Sequence, residues 1–483
     1  MFDIYLTICY NKSEYNTQQG DADMELLESI VSFINGILWD YVLIFGLVGI
    51  GLYLTLRLGF IQVKRFGPSA KRVFGGVLKK EKAKEGSMSS FQALATSIAA
   101  QIGTGNVAGV ATAITMGGPG AVFWMWVSAF FGMATIFVEA TLAQKYRETD
   151  KDGQLVGGPA YYIKNGLGNK GLAAFFAIAL IIALGFIGNM VQSNSIADAV
   201  SRAFNIPQLV VGIIIAVLAG LIFIGGMKRI ASFAELVVPI MATVYILGAI
   251  VVMFLFSGNI AAVFKSIFVA AFNPEAIMGG AAGVGVQQAV RYGIARGLFS
   301  NEAGMGSTPN SHAVANVQHP VEQGLAAMIA VFIDTILVCS ATAIVILSTG
   351  ANNLGLVGVG VTQEAFNIAF GPIGEKFLAV CLTFFAFTTL VGWYYFGENN
   401  IRYLFKGKNS IRIYQIIVLI FIVLGSYQKV DFVWNLADMF NGIMVIPNLI
   451  AIFVLFKESK GMLEDYDEQN RKGERLHYDY KYQ

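Results

Sequence analysis

Gly103-Thr104-Gly105-Asn106-Val107-Ala108-Gly109-Val110-Ala111 interrupts an apolar run that extends from about Phe91 to Met116. It has a counterpart far downstream. Ser300-Asn301-Glu302-Ala303-Gly304-Met305-Gly306-Ser307-Thr308-Pro309 lies inside a second run, from about Gly280 to Val317. Glycine and proline in a membrane span cost helical hydrogen bonds, and lipid offers no replacement partners. Such a break survives only where the freed backbone groups face protein, water, an ion or a bound solute. Two interrupted spans in corresponding halves of a chain point to a central binding site of a transporter.

Composition supports a membrane setting. The chain has 483 residues, of which 56% are hydrophobic and only 13% charged, with a mean hydropathy of +0.63. Soluble domains carry about 25% charged residues, so the expected class is an all-α polytopic membrane protein. A net charge of +2 gives no reason to expect nucleic acid as a partner. Cys9, Cys339 and Cys381 lack any paired spacing, so they fit neither a disulfide framework nor a zinc site and read as small packing residues. No basic region precedes the short apolar stretch at the N-terminus, so a cleaved signal is not expected; Met24 is an alternative start.

Apolar runs long enough to cross about 30 Å of hydrocarbon number about eleven. One opening helix covers roughly Ile37 to Leu58. Ten more fall into two groups of five, each beginning with its broken member. The expected organisation is a polar N-terminal segment (1–28), a peripheral transmembrane helix (29–60) and a basic cytoplasmic loop (61–88). A first five-helix repeat (89–257), an external re-entrant or interfacial segment (258–279), a second five-helix repeat (280–456) and a cytoplasmic tail (457–483) follow. Residues 350–375 also read as re-entrant or interfacial. Lysine and arginine concentrate in alternate loops, from Arg57 to Lys84, Lys145 to Lys170, Lys228 and Arg229, Arg402 to Arg412, and the tail from Lys457 onward. The positive-inside rule then puts the N-terminus outside and the C-terminus in the cytoplasm, in a multi-pass protein of the plasma membrane. Five spans per half is an odd number, so the halves enter the membrane in opposite senses, which is inverted-repeat logic.

The strings at 103–111 and 301–307 together resemble the signatures of the alanine or glycine:cation symporters, and the resemblance extends from about Met24 to the final span. It implies a leucine-transporter-like fold and sodium-coupled symport of small neutral amino acids, alanine or glycine foremost, with no enzymatic activity. Alternatives are glutamine uptake coupled to sodium or protons, and a non-concentrative amino-acid channel. Oligomeric state is not legible.

The residues in the breaks have a physical reading of their own. Thr104 and Gly105 open a half-helix whose free N–H groups and partial positive charge suit a carboxylate. Asn106 offers an amide oxygen to sodium and stands within reach of both ion and carboxylate. Carbonyls from Ala99 to Ile102 complete an ion site. The competing reading, a small-residue packing face through Gly103, Gly105 and Gly109, fits Gly109 but explains Thr104 and Asn106 poorly. In the second break the carbonyls of Ser300 and Asn301 are candidates for a substrate ammonium, with Gly304 beside them. Three roles compete for Glu302: a structural partner of Arg291 or Arg296, which is favoured, a protonated donor, or an ammonium ligand.

Asn189 and Gln192 share a helical face on the fourth span and suit either a polar substrate or an interhelical bond; the family resemblance favours Gln192 as substrate ligand. The resemblance to the fold also implies that Thr388 and Thr389 face the carbonyls of the first broken helix and close a sodium site. Trp393 is either a wall of the pocket or an interfacial aromatic. Glu139, Asp334, Glu398 and Asp438 have no assigned role. The histidines, His312, His319 and His477, show neither metal-ligand spacing nor a nucleophile–base pattern.

Overall fold

The computed structural model describes residues 26–77, 86–273, 285–405 and 407–480. Cys9, the Met24 start, the lysines at 79–84, Lys406, Lys481 and the Gly280 edge of the second broken run lie outside the described residues.

Helix α1 (Leu26–Arg57) opens the described chain, followed by the short α2 (Ile61–Lys64) and α3 (Phe66–Val77). The first broken pair is α4 (Ser90–Gln101) and α5 (Val110–Gly117), joined through a π-helical turn at Gly105–Gly109. Then come α6 (Gly120–Lys145), α7 (Pro159–Gly166), α8 (Lys170–Phe204), α9 (Gln208–Phe223), α10 (Gly226–Leu255) and α11 (Ile260–Phe272). The second broken pair is α12 (Val286–Asn301) and α13 (Pro309–Ala313). The remainder is α14 (Pro320–Thr349), α15 (Val359–Phe370), α16 (Pro372–Leu404), α17 (Lys408–Ser426) and α18 (Val430–Lys472). Eight of these are long and apolar enough to cross a membrane, namely α1, α6, α8, α10, α14, α16, α17 and α18.

Local chemistry places the helix ends. Ser89 and Gln92 form a reciprocal capping box at the start of α4, each backbone N–H meeting the other side chain at 3.1 Å. Asn169 caps α8 through the Leu172 N–H, and prolines occupy the first turn of α7, α13, α14 and α16, where a missing N–H costs nothing. A short parallel pairing, Met88 with Ala315 and Ser89 with Asn316, ties the start of α4 to the end of α13.

Burial separates an inner set of helices from an outer one. Ile213, Val217 and Leu221 of α9, Leu236, Ile240 and Leu247 of α10, and Ile413, Ile416 and Ile420 of α17 are exposed, as expected of faces that meet lipid. The two broken pairs are interior. Nearly every residue from Ala93 to Val110 and from Gly293 to Val314 is buried, with α6, α14 and α16 packed around them.

Two boundaries differ from the sequence reading. Helix α1 already includes Leu26 to Glu28, part of the segment expected to be polar, because Leu26, Leu27, Ile30 and Val31 continue its apolar pattern. Helix α18 continues past 456 to Lys472 as a charged helix, with i,i+4 pairs Lys460–Glu464 and Glu468–Lys472 supporting the solvated part.

Candidate functional site

The two breaks meet at the centre of the molecule. A Cβ added to Gly105 would stand 3.0 Å from the Ser300 Cα, and one on Gly103 would stand 2.2 Å from the Thr389 hydroxyl oxygen. Glycine at these positions therefore allows a close backbone approach. Gly109 differs: nothing comes nearer to its virtual Cβ than 3.9 Å, so a tight small-residue face is not what that glycine makes.

Helix α4 ends where Ile102 turns to an extended ψ of 90°. The Gly103 N–H donates to Asn106 Oδ1 at 2.8 Å, and the Thr104 N–H and hydroxyl both donate to Gln192 Oε1, at 3.1 and 2.7 Å. Gln192 is thereby oriented, and its Nε2 is left buried without a partner. Asn189, one turn away, donates to its own helix at Gly185 O (3.0 Å) and leaves Oδ1 buried and unpartnered.

At the second break α12 ends at Asn301, and Glu302 takes a left-handed conformation, φ 57°. That is uncommon for a non-glycine residue and is maintained by its surroundings. Glu302 accepts from Trp393 Nε1 at 2.6 Å and from the Ser307 hydroxyl. The arginine partnership expected for it is not made. Arg291 pairs with Asp40 at 3.2 Å, and Arg296 makes a two-pronged pair with Asp438 at 2.7 and 2.8 Å while covering the Trp434 ring. Both arginines project toward α1 and α18, away from the bend.

Ser300 and Asn301 are brought to the centre. The Asn301 carbonyl accepts from Gln101 Nε2 at 2.6 Å, and its Nδ2 donates to Thr335 Oγ1 at 3.2 Å. Gly304 is held elsewhere. Its N–H and that of Gly306 donate to the two oxygens of buried Glu139, each at 3.0 Å, and its carbonyl accepts from Asn448 Nδ2. Its φ of 95° explains the glycine without a bound solute.

Of the threonine pair, Thr389 reaches Ala99 O at 3.0 Å as well as Phe385 O of its own helix at 3.2 Å, whereas Thr388 points to Phe385 O (2.8 Å) and Met241 Sδ (3.6 Å). Adjacent helical residues are about 100° apart, so one faces the first break and the other faces α10. Trp393 is an inner residue, 1% exposed, edge-on to Phe299, and packed where a Cβ on Gly188 would collide with its ring.

One residue at the centre had no role assigned from sequence. Asp334 lies in the first turn of a π-helical stretch of α14, Phe332–Cys339, and is fully buried. Its carboxylate accepts from Asn106 Nδ2 (2.6 Å) in the first break, from Ser300 Oγ (2.9 and 3.0 Å) in the second, and from Thr335 Oγ1 (2.7 Å). No lysine, arginine or histidine pairs with it among the described residues. Cys339 joins the same cluster, 3.4 Å from Asn106 Nδ2 and 3.2 Å from Ser300 Oγ, rather than serving only as apolar filling. The signal in the sequence was a lone acidic residue within an apolar run. The carboxylate and the Ser300 and Thr335 hydroxyls are hard oxygen donors of the kind a hard cation takes.

Comparison with known proteins follows the same lines. The family described as the sodium:alanine symporter family matches residues 24–480. An uncharacterized transporter of Haemophilus influenzae is 46% identical over 91% of this chain and 96% of its own. A probable sodium/glutamine symporter of Bacillus subtilis is 43% identical over 93% of this chain and 92% of its own. A sodium/alanine symporter of Methanococcus maripaludis is 42% identical over 88% and 94%. Among solved structures, a Na+-coupled sialic acid symporter in an outward-open state aligns with a TM-score of 0.48 at 14% identity, over 89% of this chain and 85% of that one. That likeness is too loose to transfer the role of any residue.

Proposed function

This chain belongs to the sodium:alanine symporter family, and from that premise we propose that it carries a small neutral amino acid, alanine or glycine foremost, into the cell together with sodium. The chain crosses the plasma membrane eleven times, the N-terminus outside and the basic loops and C-terminus inside, with two five-helix halves in opposite senses. Transport proceeds by alternating access around the site between the broken helices.

The observation that carries this reading is the Asp334 carboxylate, buried between Asn106 of one break and Ser300 of the other with no cationic partner among the described residues. A buried unpaired charge is strongly destabilising. Sodium supplies the missing charge and at the same time joins the two breaks. Asp334 and Ser300 bind it in this reading, joined by Asn106 Oδ1 only if that amide turns from its bonds to Gly103 and Asp334, while Ala99 and Ile102 carbonyls with Thr389 form a second ion position, to which Thr388 contributes only if its hydroxyl turns from Phe385. The substrate carboxylate takes the Gly105 N–H and the unpartnered Gln192 Nε2, and the Thr104 N–H once that group is released from Gln192 Oε1. The ammonium takes the Ser300 and Asn301 carbonyls, and Trp393, positioned by Glu302, walls the pocket. An ion that orders both breaks raises amino-acid affinity, and linkage requires the amino acid to raise ion affinity by the same factor.

A second reading, glutamine as cargo, is favoured by one detail. Asn189 Oδ1 and Gln192 Nε2 are both buried and unpartnered on one face of α8, an acceptor and a donor that match a carboxamide. Uptake of labelled alanine into proteoliposomes, competed by glycine and glutamine under a sodium or a potassium gradient, tests both readings. Sodium-dependent accumulation supports symport, and the order of competition identifies the cargo.

A further inference from the structure

On the outer side of the molecule, α9 and α17 leave an apolar groove between them. The two helices run in opposite directions. Gly212 faces Ser426, whose hydroxyl oxygen is 2.2 Å from where a Cβ would stand, Gly220 faces Leu419, and Gln415 Nε2 donates to Phe223 O at 3.4 Å. Ile213, Val217, Leu221 and Ile224 of the first segment and Leu419 and Val423 of the second line a space of about 340 Å³. It opens outward, with Val217 60% and Ile224 78% exposed. From Ile213 to Ile224 the groove is about 16 Å long at a rise of 1.5 Å per residue. That is close to half of the ~30 Å hydrocarbon core, the depth of one leaflet.

One end of the groove is basic. Beyond Ile224 the chain turns at Gly225 and Gly226, the latter at φ 58°, and Arg229 folds back so that its guanidinium donates to Leu221 O at 2.6 Å. Gly225 makes room for it, since a Cβ there would stand 2.5 Å from Arg229 Cβ and Nε. Capping α9 in this way uses one of the five guanidinium donors. On α17, Arg412 precedes Leu419 and Val423 by seven and eleven residues, so at 100° per residue it lies within about 20° of each on the stripe that lines the groove. It also precedes Gln415 by three residues, which puts it at the Phe223 end, the same end as Arg229. Lys228, Arg229 and Arg412 are exposed, and among the described residues none of them makes an ion pair; Glu235, the next acidic residue along the chain, accepts from Gln92 Nε2 at 2.9 Å.

We propose that this groove is a binding site for an anionic phospholipid of the bilayer, one acyl chain lying between α9 and α17 and the phosphate meeting Arg229 and Arg412. An apolar slot one leaflet deep that ends in cations without ion pairs matches a molecule apolar along its length and anionic at its head. A zwitterionic lipid fills the slot but brings a cation to the basic corner. A free phosphate ion reaches the arginines and leaves the slot empty. The bound lipid touches both helices, so its occupancy adds to the stability of the fold.

The test is a lipid titration of the delipidated, full-length protein in neutral detergent. Phosphatidylglycerol and phosphatidylcholine with the same chains are compared, bound lipid is counted by native mass spectrometry, and the unfolding temperature is followed in parallel. Phosphatidylglycerol is expected to fill one site at a concentration lower by about tenfold or more than phosphatidylcholine, and to raise the unfolding temperature. Arg229→Gln combined with Arg412→Gln keeps a donor for Leu221 O and removes two charges. At the usual strength of two basic residues near an anionic headgroup, it should weaken phosphatidylglycerol binding about 30-fold and leave phosphatidylcholine unchanged. Val217→Trp, on the exposed wall, fills the slot with the basic corner intact and should weaken both lipids. Equal affinity for the two lipids in the wild type, or unchanged phosphatidylglycerol binding in the arginine variant or in Val217→Trp, overturns the site. So does an equal loss from Lys151→Gln combined with Lys170→Gln, two exposed lysines on neither helix, which would make the attraction a general property of the basic loops. Glycerol phosphate that displaces phosphatidylglycerol at similar concentration would show a phosphate-ion site and overturn it as well.

Discussion

Asp334→Asn isolates the charge at the centre of the site. One carboxylate oxygen of Asp334 faces Asn106 Nδ2, which can only donate; the other faces the Ser300 and Thr335 hydroxyls, which can turn to accept. An asparagine with its oxygen toward Asn106 and its nitrogen toward the hydroxyls keeps every bond in the cluster. The variant is therefore expected to fold, monodisperse in detergent, with an unfolding temperature close to wild type. It loses the negative charge. Two unit charges at ~4 Å with an effective dielectric of ~20 attract by about 4 kcal/mol, part of which the amide oxygen retains. The half-saturating sodium concentration for alanine uptake should rise at least ~100-fold, or about 2.8 kcal/mol at 1.4 kcal/mol per tenfold. The assay is initial uptake in proteoliposomes over a sodium series at constant ionic strength. A folded Asp334→Asn protein with sodium activation within twofold of wild type would refute the reasoning, because the carboxylate would then not be facing the ion.

Other outcomes follow from the same geometry. Gly103→Ala puts a methyl group 2.2 Å from Thr389 Oγ1, and overpacking of this kind costs about 1–3 kcal/mol; the melting temperature should fall and uptake should be lost, and a variant with wild-type uptake would contradict the close approach. Thr389→Val should raise the sodium requirement roughly tenfold, by one hydrogen-bonding ligand, while Thr388→Val leaves it within threefold; the reverse order would mean that the wrong threonine has been assigned to Ala99. Arg296→Gln leaves Asp438 buried without its ion pair and should destabilise by about 3–5 kcal/mol, whereas Arg296→Met combined with Asp438→Leu should recover most of that in a thermal-unfolding assay. Equal melting temperatures for the single and double variants would show that the pair is solvated and not part of the closed core.

The breaks themselves were legible because glycine and proline in an apolar run have few explanations. What joins them was not. Asp334 is a single acidic residue between Ile333 and Thr335, and nothing local shows that the fold delivers Asn106 and Ser300 to its carboxylate from positions far away in the chain. Glu302 misled because Arg296 is near in sequence; the helix directs that arginine to Asp438 on α18 instead. The threonine pair could be narrowed to one member only with a helical phase, and that phase came from the packing of α16 on α4. Gly304 shows the converse difficulty. A glycine in a break fits a substrate site or a strained turn equally well, and only the Glu139 anchor and the positive φ decide for the turn. Helix ends were blurred where apolar faces continued into amphipathic ones, as at Leu26 and beyond 456.

Sodium symport is tested most directly by accumulation of a small neutral amino acid by the intact chain. Labelled alanine should concentrate inside proteoliposomes under an inward sodium gradient, and the accumulation should collapse when sodium is replaced by potassium. Accumulation that persists in potassium, or equilibration without concentration under any cation gradient, would contradict it.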